Sequence, residues 1–285
     1  MIEYMNKNFG DKYQFRYSTP SDYLDAINAL DHTWPTKSDD LFPYAEATDS
    51  WWTGYFSSRP NAKSYVRSGS HIFHASSQLA AQAMLDPKEV NTDQFMDASN
   101  EMLDQLGVYQ HHDAVSGTAK QAVADDYALR LSKAISKNND ELYSKLIDRQ
   151  VYHMTNGAVS SEEWEMCDKT NATYLDCPIK NYDLRDGSDV FISVHNPSSL
   201  KQSMAQISVP NGKFRVQEFK NGEYTDAEAV DVMCYKDTDA AGVEMENCQM
   251  FIKTSIEPRD INLLKLTVDQ STNSEVPLET LQSGY

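Results

Sequence analysis

Apolar residues between Ala62 and Met84 return at helical spacing: Tyr65, Val66, Ile72, Phe73, Leu79 and Ala83. This predicts a helix that Asp86-Pro87 ends. Thr92 or Asp93 can cap a second helix, which carries Phe95, Met96, Met102, Leu103 and Leu106. A third is expected from about Thr118, with Val123, Tyr127, Leu131, Ile135, Leu142 and Leu146. Three amphipathic helices joined by short loops predict an antiparallel bundle over residues 59–150. Upstream, Tyr13-Gln14-Phe15-Arg16-Tyr17 alternates like a short strand. Thr19-Pro20-Ser21-Asp22 then reads as a cap, a first-turn proline and an acidic helix start. The helix runs to about Leu30, with Tyr23, Leu24 and Ile27 facing inward. A strand followed by a capped helix is one unit of an α/β sheet or barrel, and one unit cannot bury both of its faces. Residues 1–58 are therefore expected to complete a sheet whose other strands lie elsewhere.

The pattern changes after residue 150. Val190–Val194, Met250–Lys253 and Ile261–Val268 are β-rich, and Asn211-Gly212 and Asn221-Gly222 bracket Lys213–Phe219 with turn signals. Several short strands separated by turns predict a β-sandwich, or its first sheet, over residues 151–285. From Ser271 the chain is polar and is expected to fray. The fold class expected is α+β and multidomain.

Charge and cysteines narrow the possible functions. Lys and Arg number 25 against 43 Asp and Glu, a formal charge of −18 over 285 residues, which disfavours phosphate-backbone binding and anionic membrane surfaces. The first residues, Met1-Ile2-Glu3-Tyr4-Met5-Asn6, lack the basic and apolar regions of a signal peptide. Cys167, Cys177, Cys234 and Cys248 lack zinc-finger spacing; they fit two disulfides of an oxidising compartment or, more plainly, four buried thiols. Asn171-Ala172-Thr173 is a glycosylation acceptor between the first two cysteines. A secretory body without a visible secretory signal leads to the expectation that the true N-terminus lies upstream.

The chemistry concentrates in Gln110-His111-His112-Asp113-Ala114-Val115-Ser116-Gly117-Thr118. Imidazole is the common neutral metal ligand, and an adjacent carboxylate can ligate, orient or act as a base. The group sits at a helix–helix corner, with a turn and then a cap at Ser116-Gly117-Thr118. Adjacent side chains diverge, so His111 and His112 are not expected to share one metal, and a zinc site wants three or four ligands. The plainer reading is a hydrogen-bonding cluster at a turn. His71 and His74, one turn apart, are expected at the surface or the edge of the core. A second stretch sets Asp39-Asp40 beside Trp51, Trp52, Tyr55 and Phe56, a combination that suits a carbohydrate site. The residues alone favour a plainer hydrophobic plug, with Arg59 bonded to backbone carbonyls.

These segments resemble the lysosomal-type α-mannosidases of glycoside hydrolase family 38. The resemblance is carried by Tyr17–Ser21, Asp39–Ala45, Trp52–Pro60 and Gln110–Thr118, and it extends through Asp125-Asp126-Tyr127-Ala128. It implies the end of an α/β catalytic barrel, a three-helix bundle and a β-sandwich, in that order. It also implies a zinc-dependent, retaining exo-hydrolase that removes terminal α-D-mannose from N-glycan-type oligosaccharides. Such a protein would work in a lysosome or other lumen, without nucleic-acid or membrane partners, and leaves room for a homo-oligomer of the full-length enzyme. In that family zinc is held by two histidines and two aspartates. Residue by residue, His112 takes the last ligand position, Asp113 contacts sugar hydroxyls and Trp52 lines the sugar pocket. The family's first metal pair, its nucleophile and its acid/base carboxylate have no counterpart in residues 1–16, and Asp39 and Asp40 do not replace them. The expectation is a middle piece of a longer enzyme that alone neither binds zinc tightly nor cleaves an α-mannoside. A non-catalytic carbohydrate-binding or assembly subunit, and a degraded pseudo-enzyme, are the alternatives. The disulfides expected are Cys167–Cys177 and Cys234–Cys248.

Overall fold

The computed structural model describes residues 1–85, 91–161, 164–169, 175–182, 184, 187–238, 244–268 and 278–279. Asp86-Pro87, the acceptor Asn171 and most of the polar tail lie outside them. The chain divides into two units, Met1–Thr53 and Gly54–Tyr285.

The first unit holds helices α1 (Ile2–Phe9) and α2 (Pro20–Asn28) and a small antiparallel pair, β1 (Ala45–Ala47) and β2 (Ser50–Trp51). Helix α2 starts where the sequence says it should. The Thr19 hydroxyl accepts from the Asp22 amide at 3.1 Å, and the Asp22 carboxylate accepts from the Thr19 amide at 3.2 Å. This reciprocal pair satisfies two otherwise orphaned amides. The strand expected at residues 13–17 does not form. The Asn6 carboxamide takes its place, accepting from the Phe15 amide and donating to the Phe15 carbonyl, both at 2.7 Å. The inward face expected for α2 is not covered either: Tyr23 and Leu24 are exposed, and no residue of this unit is buried. A single helix without a sheet to lie on has nothing against which to bury its apolar stripe.

The second unit is built from helices α3 (Pro60–Ala83), α4 (Thr92–Tyr109), α5 (Gln121–Asn138) and α6 (Ser144–Met154). One π-helical stretch, Asn139–Tyr143, joins the last two into a single rod. The strands are β3 (Asp168–Lys169), β4 (Leu175–Asp176), β5 (Asp189–Asn196), β6 (Gln202–Val209), β7 (Phe214–Lys220), β8 (Glu223–Asp226), β9 (Ala229–Thr238), β10 (Glu244–Ile256), β11 (Asp260–Val268) and β12 (Leu278–Glu279). Two four-stranded sheets result, in the orders β5-β11-β7-β8 and β12-β9-β10-β6. The turn at Asn221-Gly222, with φ of 54° and 88°, closes the β7–β8 hairpin. Among the described residues, no helix is long and apolar enough to cross a membrane.

Small phase differences decide which apolar side chains are buried. On α4, Phe95, Ala98, Met102, Leu106 and Tyr109 form one stripe of steps of three and four and are buried. Met96 and Leu103, apolar as well, each lie one residue off that stripe, about 100° around the helix, and are exposed. Val123 on α5 is exposed as well. The helices hold two clusters. One gathers Val66, Met102, Leu106, Tyr109, Ala114, Leu131 and Ala134, at the end that carries the loop between α4 and α5. The other gathers Leu79, Phe95, Leu142, Leu146 and Val151 together with Ile261 and Leu263 of β11. Leu264 and Leu266 of the same strand join a third cluster with Ile207 and Met250 of the opposite sheet. Strand β11 thus has helices on one side and the other sheet on the other. Both disulfides form as expected, Cys167–Cys177 and Cys234–Cys248; the latter joins directly opposed residues of β9 and β10.

Where the rod meets β5, the Tyr143 hydroxyl lies 2.8 Å from His195 Nδ1. One hydrogen bond joins the phenol and that nitrogen, its direction set by the imidazole tautomer. Burial lowers the His195 pKa from 6.5 to about 4 and raises that of Tyr143. The folded imidazole stays neutral down to about pH 4, whereas the unfolded one takes a proton near 6.5. Between those values the unfolded chain binds more protons, so stability falls as pH drops from 6.5 to 4. This predicts that urea denaturation shows a loss of at most about 2–3 kcal/mol between pH 7.5 and 4.5 from this ring. His195→Gln is expected to flatten that part of the pH dependence.

Candidate functional site

The loop between α4 and α5 is short and tightly turned. The His111 carbonyl accepts from the amides of Ala114 and Val115, at 2.9 and 3.2 Å, and the Ala119 amide donates to the Asp113 carbonyl at 3.0 Å. This curvature brings His111, His112 and Asp113 together. The two imidazole centroids lie 4.4 Å apart, and one potential ligand atom from each of the three residues lies within 4.8 Å of the others. The expected divergence of the two rings is therefore not observed. Adjacent side chains oppose each other on an extended strand, whereas this backbone coils.

Asp113 organises the group. Its Oδ2 sits 3.4 Å from His111 Nε2 and 3.7 Å from His112 Nε2. Its Oδ1 accepts from the Thr118 hydroxyl at 3.0 Å, and Ser116 Oγ lies 2.8 Å from Thr118 Oγ1. Thr118 was expected as a helix cap; instead the N-terminus of α5 follows Lys120, which makes no side-chain cap. The His112 side chain is 86% exposed, against 44% for His111 and 50% for Asp113. His112 thus stands in the open at the helix corner. The donor set fits a zinc ion in part: two donors on a tetrahedral zinc lie about 3.3–3.5 Å apart, close to both imidazole–carboxylate spacings, but a complete site needs further ligands.

Two cations from the start of α3 grip the loop. Arg59 Nη1 donates to the carbonyls of Gly117 and Ala119 at 2.6 and 2.8 Å, and Nη2 donates to Gln121 Oε1 at 3.3 Å. Lys63 Nζ donates to the carbonyls of Ser58 and Val115 at 2.7 and 2.8 Å, and desolvation draws its pKa below the ordinary lysine value. Arg59 on carbonyls was legible in the sequence. The parts played by Lys63 and Thr118 were missed: Arg59 caps α3 in a left-handed conformation, so no helical spacing ties Lys63 to it. Gly117 has φ of +75°, and a Cβ there would lie 2.4 Å from the Ser58 carbonyl oxygen.

Trp52 belongs to the first unit. It is half exposed, its amide donates to the Tyr44 carbonyl at 2.8 Å, and its ring meets Tyr44 edge-on at 5.8 Å. Trp51 beside it is exposed as well. Asp39 pairs with Lys37 at 3.0 Å on the surface. His71 and His74 are exposed on α3, as expected.

Residues 50–149 match the family model of the α-mannosidase middle domain. A probable α-mannosidase of Arabidopsis thaliana is 35% identical over 225 residues, 78% of this chain and 20% of its own length. The lysosomal α-mannosidase of Dictyostelium discoideum is 34% identical over 229 residues, 79% of this chain and 22% of its own length. That of Cavia porcellus is 44% identical over 129 residues, 45% of this chain and 12% of its own length. The chain belongs with the α-mannosidases, and it spans about a fifth of the length of the first two of these relatives.

The geometry at Gly117 predicts opposite signs for two glycine substitutions. Gly117→Ala is expected to cost about 1–3 kcal/mol, through its left-handed backbone and the Ser58 contact. Gly107→Ala, on α4 with nothing within 4 Å of the added carbon, is expected to gain about 0.5–1 kcal/mol. Urea denaturation of both variants reads the difference.

Proposed function

We propose that this chain contributes the middle part of a zinc-dependent, retaining α-mannosidase. The enzyme removes terminal α-D-mannose from N-glycan-type oligosaccharides in a lysosome or other lumen. The match of residues 50–149 to the α-mannosidase middle domain carries this reading. The exposed His111-His112-Asp113 cluster and the two disulfides support it. In this reading residues 1–58 end an α/β catalytic barrel, residues 59–150 are the three-helix middle domain, and residues 151–285 begin the β-sandwich region.

His112, the most exposed donor, is the residue assigned to zinc, with further ligands supplied from outside the aligned fifth. Bound zinc would hold adjacent mannose hydroxyls and help the ring distort towards an oxocarbenium-like state. Asp113 accepts hydrogen bonds from sugar hydroxyls through the lone pairs that Thr118 leaves free. Trp52 offers a ring face to the apolar side of the pyranose. Neither His112 nor Asp113 attacks carbon: the nucleophile and the acid/base carboxylate belong to the remainder of the enzyme. These two residues bind and orient.

A chimera tests the assignment. Residues 50–149 of this chain replace the matching segment of the Dictyostelium discoideum lysosomal α-mannosidase, and turnover of a chromogenic α-mannoside is measured. The chimera is expected to be active and chelator-sensitive. His112→Ala is expected to lose more than the roughly 10–100-fold that follows loss of an outer contact to a metal site. The 285-residue chain alone is expected to show no turnover and no tight zinc binding. An active His112→Ala chimera would overturn the reading. So would mannoside binding by the isolated chain that His112→Ala leaves untouched, which would point to a carbohydrate-binding or assembly subunit.

A further inference from the structure

Carbonyls of the α4–α5 loop accept hydrogen bonds from Arg59 and Lys63. We infer that Arg59 is a positioning residue: through the limb 117–119 it holds the Asp113 carboxylate against the two imidazoles. The inference rests on the role proposed for Asp113 and deepens it.

The connection is continuous. One guanidinium nitrogen, Nη1, takes the carbonyls of both Gly117 and Ala119, at 2.6 and 2.8 Å. Between those two anchored peptides lies Thr118, whose hydroxyl donates to Asp113 Oδ1 at 3.0 Å. Ala119, held by its carbonyl, uses its amide to bond the Asp113 carbonyl at 3.0 Å. The limb that Arg59 grips therefore fixes Asp113 twice, once at the carboxylate and once at the backbone. The carboxylate's other oxygen faces both Nε2 atoms, at 3.4 and 3.7 Å. Rotation of the Thr118 peptide by a small angle would swing Oδ2 away from one ring or the other.

Lys63 gives an internal contrast. It is also a cation on loop carbonyls, but it bonds Ser58 and Val115, and neither has a hydrogen bond to Asp113. Loss of Lys63 should loosen the loop without turning the carboxylate. Arg59 cannot be replaced by lysine on equal terms. A planar guanidinium presents several donors in a rigid fork, whereas an ammonium on a flexible stem keeps the charge and loses the fork.

The test uses the whole 285-residue chain, labelled with 13C and 15N and free of metal. Nuclear magnetic resonance follows the ring-nitrogen shifts of His111 and His112 and the carboxyl-carbon shift of Asp113. R59K and Thr118→Val are expected to move all three signals in the same sense. Lys63→Met is expected to leave them at the wild-type positions while lowering the melting temperature. Zn2+ is then titrated in, with the His112 signal as readout. R59K and Thr118→Val are expected to raise the half-saturating concentration about tenfold, the low end for an outer contact to a metal site. Metal-free R59K signals that coincide with wild type would overturn the positioning role. So would a Lys63→Met variant that moves them as far as R59K does. If the metal-free shifts appear while the His112→Ala chimera keeps its chelator-sensitive turnover, the metal reading fails and the positioning role stands.

Discussion

A strand buried on both faces is largely apolar, and β11 is apolar at four of the six positions Ile261–Leu266, the exceptions being Asn262 and Lys265. The strand is the hinge of the second unit's packing. Ile261 and Leu263 complete a helical core, while Leu264 and Leu266 complete the core between the sheets. Each face buries apolar area at roughly 25 cal/mol per Å², so one strand ties the helical core to the core between the sheets. The far ends of α3, α4 and the long rod are anchored there, and the near ends carry the loop with the histidines.

The loop has the opposite problem. It is short, turned and rich in carbonyls that no regular element can satisfy, and backbone oxygens taken from water need donors. Arg59 and Lys63 supply them from a neighbouring helix start. The arrangement leaves the imidazoles open to solvent while fixing the peptide groups beneath them. That division suits a binding site, which needs rigid support and accessible donors.

The helices were legible because a period of 3.6 leaves a long record in the chain. Leu79, Phe95, Met102, Leu131 and Leu146 fall on the predicted stripes and are buried. Errors came where a local signal had a non-local competitor. The alternating stretch 13–17 is bonded by the Asn6 side chain rather than by a strand. Thr118 has the right chemistry for a cap, but its hydroxyl is drawn to a carboxylate five residues earlier. The site itself was legible as a set of residue types, His111, His112 and Asp113, and the wrong inference was their divergence, because the backbone coil that joins the rings is set by the clamped loop.

Read alone, the amino-acid order determined the helical stripes, the capping box at Thr19 and the motifs shared with α-mannosidases, since each is written in spacing along the chain. Tertiary structure decided which strand would serve two cores, which carbonyls Arg59 and Lys63 would bind, and that two neighbouring rings would share one carboxylate. The reason is distance in sequence: Arg59 and Gly117 are 58 residues apart, and no local periodicity encodes an approach that exists only after the helices have packed.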